Sequence, residues 1–96
     1  MSYYNNKLLY ERHIGYKGDS DVTDEPIEIL GRIEPSNKII KSVDKGDVQS
    51  SSKVYTEHNV ERGGYISFGG DRFQILLVEP QFGLEGELVY NKVYLG

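Results

Sequence analysis

Two dense apolar runs separated by a pair of glycines, in residues 63–80 (GGYISFGGDRFQILLVEP), constrain this chain more than any other stretch. Tyr65, Ile66 and Phe68 form the first run, and Phe73, Ile75, Leu76, Leu77 and Val78 form the second. Between them, Gly69 and Gly70 can take the consecutive positive φ values that a two-residue hairpin turn requires. The stretch therefore predicts a β-hairpin turning at Gly69 and Gly70. The second run, rich in β-branched and aromatic residues, is too short for a helix and meets Pro80. It reads as a strand buried on both faces.

Elsewhere the apolar pattern alternates. Residues 8–17 set Leu8, Tyr10, Arg12, Ile14 and Tyr16 against Leu9, Glu11, His13 and Gly15, which predicts one strand with imperfect sides. Pro26 opens the next, with Ile27, Ile29, Gly31 and Ile33 facing one way, and Gly31 marks a bulge or a close approach. Asp44-Lys45-Gly46-Asp47 is a turn signal with Gly46 at positive φ, followed by a long, polar strand over 47–57. After a turn over 81–86, a last strand over 87–95 sets Leu88, Tyr90, Lys92 and Tyr94 against Val89, Asn91, Val93 and Leu95. No segment longer than about ten residues keeps a helical period without a Gly or Pro break.

These features predict an all-β fold, a small antiparallel β-barrel of about six strands. We expect one domain over 1–96, with a flexible arm over 1–7 carrying Tyr3 and Tyr4, and a long hairpin loop over 36–50 projecting from the body because both its faces are too polar to bury.

Charge and residue usage limit function. The 96-residue chain has no Cys, which removes disulfides, thiolate metal sites and cysteine nucleophiles and suits a reducing compartment. No signal peptide or membrane span is readable, so a soluble protein is expected. The net charge of −4 argues against a surface that binds nucleic acid throughout, but the charge is uneven: +2 over 1–17, −5 over 18–35, +2 over 36–53 and −3 over 54–96. Asp19, Asp21 and Asp24 sit in a turn-rich acidic connection that lacks the glycine and glutamate spacing of a calcium loop. His13 and His58, and the glutamates Glu85 and Glu87, form no acid–base or metal constellation, so no enzymatic activity and no cofactor is expected.

The run over 31–56 (GRIEPSNKIIKSVDKGDVQSSSKVYT), followed by the glycine hairpin, resembles the head-closure, or stopper, proteins of long-tailed bacteriophages. The likeness covers about residues 8–80, and Gly64, Tyr65, Ile66, Phe68, Gly69, Gly70, Arg72 and Phe73 carry its hairpin motif. In Gly63-Gly64-Tyr65 the acidic residue that is commoner after the first glycine of that motif is missing. The resemblance implies a structural virion protein. Such a protein forms a six-fold ring in the neck, between the portal or head–tail adaptor ring and the tail or its terminator, and is made in the host cytoplasm.

On that reading, Lys38, Lys41 and Lys45 meet packaged double-stranded DNA by nonspecific charge contact, while Ile39 and Ile40 pack against their own copies at the channel. Tyr3, Tyr4 and Tyr10 suit an arm docking on a neighbouring ring. The isolated protein is expected to be a monomer or weak oligomer. The alternatives are another neck component, such as a tail terminator, or a small-barrel module binding a peptide or nucleic acid. For nucleic acid, the only aromatic–basic stripe readable in the sequence is Tyr90, Lys92 and Tyr94.

Overall fold

A computed structural model describes residues 6–42 and 46–96. Ten strands run in order: β1 (Asn6–Glu11), β2 (His13–Lys17), β3 (Ser20–Thr23), β4 (Ile27–Pro35), β5 (Ile39–Ser42), β6 (Gly46–Gln49), β7 (Ser52–Thr56), β8 (Tyr65–Phe68), β9 (Asp71–Phe82) and β10 (Leu88–Leu95). Six of them close an antiparallel barrel in the order β1-β4-β7-β10-β9-β8, and β1 pairs back onto β8 through Leu9↔Ser67, Tyr10↔Ile66 and Glu11↔Tyr65. The other four form two hairpins outside the barrel, β2–β3 and β5–β6. The expected all-β barrel of six strands is therefore the fold.

Side-chain alternation fills the interior. Leu8 and Tyr10 of β1, Ile29 of β4, Val54 of β7, Ile66 of β8, Ile75 of β9 and Val93 and Leu95 of β10 point inward, and Val60 plugs one end from the β7–β8 connection. Each such side chain contributes about 1.5–3 kcal/mol of apolar burial. Buried polar groups at that end are paired. Thr56 donates its hydroxyl to the Leu30 carbonyl at 2.8 Å and accepts the His58 N–H at 3.1 Å, while Asn91 Nδ2 donates to the His58 carbonyl at 3.0 Å.

The central hairpin turns where the glycines predicted. Gly69 has φ 61° and Gly70 has φ 84°, and the register Phe68↔Asp71 leaves only those two residues in the turn. Gly70→Val places a β-branched residue in that left-handed conformation. It should lower stability by more than about 1 kcal/mol, readable as a shifted denaturation midpoint with an unchanged slope. An unchanged midpoint would contradict the turn. Gly46, at φ 70°, likewise sits at positive φ as expected.

Several expectations need correction. The strand read over 8–17 is two strands, broken at Arg12, because β1 stays in the barrel wall while β2 leaves it to pair with β3. The acidic connection is consequently a hairpin. Gly18, at φ 64°, turns it, and its end is held by Asp24 N–H donating to the Arg12 carbonyl at 2.8 Å. Asn6 and Lys7, expected in a flexible arm, instead pair with Gly31 and Leu30 as the start of β1, and residues 1–5 lie outside the described residues.

The polar strand over 47–57 is also two strands. It breaks at Ser50 and Ser51, where the fully buried Ser50 hydroxyl lies 2.8 Å from the Ser52 carbonyl and 2.9 Å from that of Leu95. Pro80 does not stop β9, which continues to Phe82 with Pro80 opposite Asn91. Pairing of β9 with β8 ends at Gln74, so Pro80 has a ladder partner on one side only and its missing N–H is tolerated there. Only Ile75 of the apolar run in β9 is fully buried, because a barrel wall has one inner and one outer face.

Candidate functional site

Three regions are candidates: the β5–β6 hairpin, the outer wall of β4, β7, β10 and β9 beside it, and the outer end of the β9–β10 hairpin. The hairpin is laid against the barrel at its base. Ile40 is only 7% exposed, whereas Ile39, its neighbour, is 65% exposed. The expectation that both isoleucines are offered to neighbouring copies is thus corrected for Ile40, which turns toward the protein's own apolar surface. Burial of an isoleucine is favourable wherever the alternation allows it.

Lys38 is also committed locally. Its Nζ lies 3.2 Å from Glu79 Oε2 on β9 and 4.7 Å from the centre of the Tyr94 ring on β10. It lies on the wall and not on a free loop. Lys41 is exposed on β5, and Lys45 lies outside the described residues. Of the residues predicted for the loop, Ile39 and Lys41 remain on its solvent side.

Tyr10 was expected on a docking arm and is instead a core residue, 5% exposed. The inward position in β1 puts its ring in the barrel, edge-on to His58 at 6.0 Å, and its hydroxyl accepts the Glu61 N–H at 2.9 Å. Burial pushes the phenol's pKa up, against the opposing pull of that hydrogen bond. Tyr3 and Tyr4 lie outside the described residues.

The outer wall gathers residues that lie far apart in the chain. Register places Arg32, Tyr55, Lys92 and Glu79 in one row across β4, β7, β10 and β9, and Glu34, Lys53, Tyr94 and Leu77 in the next. Tyr90 lies diagonally from Tyr55, and their rings meet edge to face at 5.6 Å. Lys53 Nζ lies 5.9 Å from the Tyr55 ring centre, and Lys92 Nζ lies 5.7 Å from that of Tyr94. Hydrogen bonding to Tyr94 is the leading cause of a raised pKa at Lys92.

Arg32 Nε and Lys53 Nζ share Glu34, at 3.0 and 3.9 Å. Tyr55, Lys53 and Arg32 are the members the sequence reading missed. The alternation of Lys53 and Tyr55 against Val54 and Thr56 was legible, but the adjacency of β7 and β10 was not.

A third feature is the outer end of the β9–β10 hairpin. Phe82, Leu84, Leu88 and Val89 are all exposed there, with Phe82 opposite Leu88. Glu85 and Glu87 are interspersed among them. Among the described residues, no three His, Asp or Glu side chains gather in a way that could hold a metal ion.

The fold and these surfaces define a class: a small closed β-barrel with two appended hairpins and an aromatic, basic outer wall. Compared with known proteins, the chain matches no family model and no curated protein sequence.

Proposed function

We propose that this chain is a structural protein of the bacteriophage neck, a stopper that helps close the DNA channel and offers a docking surface to the tail. The observation that supports the reading is a closed barrel whose hairpins carry exposed apolar side chains. Ile39 lies on one hairpin, and Phe82, Leu84, Leu88 and Val89 lie on the other. Exposed apolar groups that are contiguous mark surfaces covered in an assembly. The sequence resemblance over 8–80 supplies the assembly.

In a ring of such barrels, β5–β6 carries Ile39 and Lys41 toward the channel, and the acidic, apolar end of β9–β10 meets a neighbouring component. Lys38 has a different part. Held by Glu79 and Tyr94, it fixes the base of the hairpin to the wall.

The test separates assembly from folding. Lys41→Glu should change the isolated protein's stability by no more than about 0.5 kcal/mol, as surface substitutions usually do, and removal of residues 44–47, which takes Gly46 and Asp47 from β6, should leave the six-stranded barrel folded. Virions carrying either change should package DNA and then leak it, or fail to join tails, because charge reversal sets repulsion against phosphate. Infection at the wild-type level with the trimmed hairpin would overturn the gate role.

A further inference from the structure

We propose that the outer wall formed by β4, β7 and β10 binds single-stranded nucleic acid. The proposal stands on the side chains of that wall and does not depend on the neck reading. Proteins that bind single strands combine cations that follow the backbone with aromatic rings on which bases stack. Here the closed barrel brings both kinds of group onto one face. Tyr55 and Tyr90 are half-buried on its outer side, in edge-to-face contact at 5.6 Å, with Lys92 in the same row as Tyr55. Arg32 and Lys53 flank Tyr55, and Lys38, just before β5, lies over Tyr94.

The charge of the wall differs from that of the molecule. Within the two rows, Arg32, Lys53 and Lys92, with Lys38 over Tyr94, stand against the carboxylates Glu34 and Glu79, so this part of the wall is locally basic on a chain whose net charge is −4. Glu34, partly exposed and shared by Arg32 and Lys53, is a partner that phosphate can displace, since ion pairs near the surface contribute little.

Neighbouring strands lie about 4.8 Å apart, so the row from Arg32 to Glu79 spans about 14 Å, enough for a few nucleotides and too little for a long duplex footprint. Tyrosine rings add affinity only where bases are unpaired. A duplex hides its base faces and would meet the cations alone.

Anisotropy of a labelled oligothymidine of about 16 nucleotides tests this directly. Saturable binding is expected, with a log–log salt slope of about −2 to −3 from three or four phosphate contacts at about 0.7 each. Tyr55→Ser and Tyr90→Ser should each weaken binding at least about fivefold, whereas Tyr90→Phe, which keeps the ring, should leave it unchanged. Lys92→Glu should weaken binding and flatten the slope.

Because the chain has no Trp, quenching of tyrosine emission by the oligothymidine reads stacking in the unaltered protein, whether or not the serine variants fold. Three results would each sink the proposal. One is no saturable binding at low salt. Another is equal affinity for a duplex of the same length without quenching, which indicates charge alone. The third is competition by polyglutamate as strong as by oligothymidine, which indicates an acidic protein partner.

Discussion

Gly31→Val is expected to abolish the cooperative melting transition of the purified protein. Gly31 has no unusual backbone conformation, so the reason is space. A Cβ at this position would lie 2.9 Å from Leu8 Cδ1, 2.9 Å from Val54 Cγ1 and 3.0 Å from the Tyr55 carbonyl oxygen. Two of those atoms belong to fully buried side chains and the third to the backbone of a paired strand, so none can yield without moving β1 or β7.

Overpacking a well-filled core by a methylene or so costs about 1–3 kcal/mol, and valine adds three carbons where even the first does not fit. Small domains have only about 5–15 kcal/mol in total. Gly31→Ala should therefore retain a transition at a reduced temperature, and Gly31→Val should lose it. Thermal scans followed by far-ultraviolet circular dichroism decide the matter. A valine variant melting near wild type would show that β4 does not approach β1 and β7 as described.

Ile66→Ala should give the next largest loss. Ile66 is fully buried on β8, between Tyr10 of β1 and Phe73 of β9, at the seam where the barrel closes. Truncating it removes apolar contacts and leaves a cavity, for which about 2–5 kcal/mol is expected, against about 0.5–1.5 kcal/mol for Ile66→Val. For a chain of this size, each kcal/mol is worth about 4–8 °C in Tm. The alanine variant should therefore melt at least about 8 °C lower. The graded pair is informative. Equal, small shifts for both variants would mean that the seam collapses around the missing atoms or that Ile66 is not in the core.

What could be read in advance follows the range of the interaction responsible. The turn at Gly69 and Gly70, the shared face of Ile27, Ile29, Gly31 and Ile33, of which Ile27 stays exposed at the start of β4, and the outward stripe Tyr90, Lys92 and Tyr94 follow from neighbours one to four positions away, through φ limits and a period of two. Strand breaks at Arg12 and at Ser50 were less legible, because the alternation runs through both. They exist because β2 and β6 leave the barrel, and the buried Ser50 hydroxyl is satisfied by a carbonyl 45 residues away.

The sequence by itself determined that this chain makes strands, where its main hairpin turns and, for the strands that alternate, which side is apolar, since all three are written in local backbone preference and side-chain alternation. Only the tertiary structure decided which strands are neighbours. Closure of β1 onto β8 turned Tyr10 from a candidate docking residue into a core residue bonded to the Glu61 N–H. The pairing of β7 with β10 set Tyr55 and Lys53 beside Tyr90 and Lys92, and the placement of β5 against β9 bound Lys38 to Glu79. These pairings rest on contacts between distant segments. Register there is set by burying one face of every strand at once, a condition of the closed barrel as a whole and of no single stretch of it.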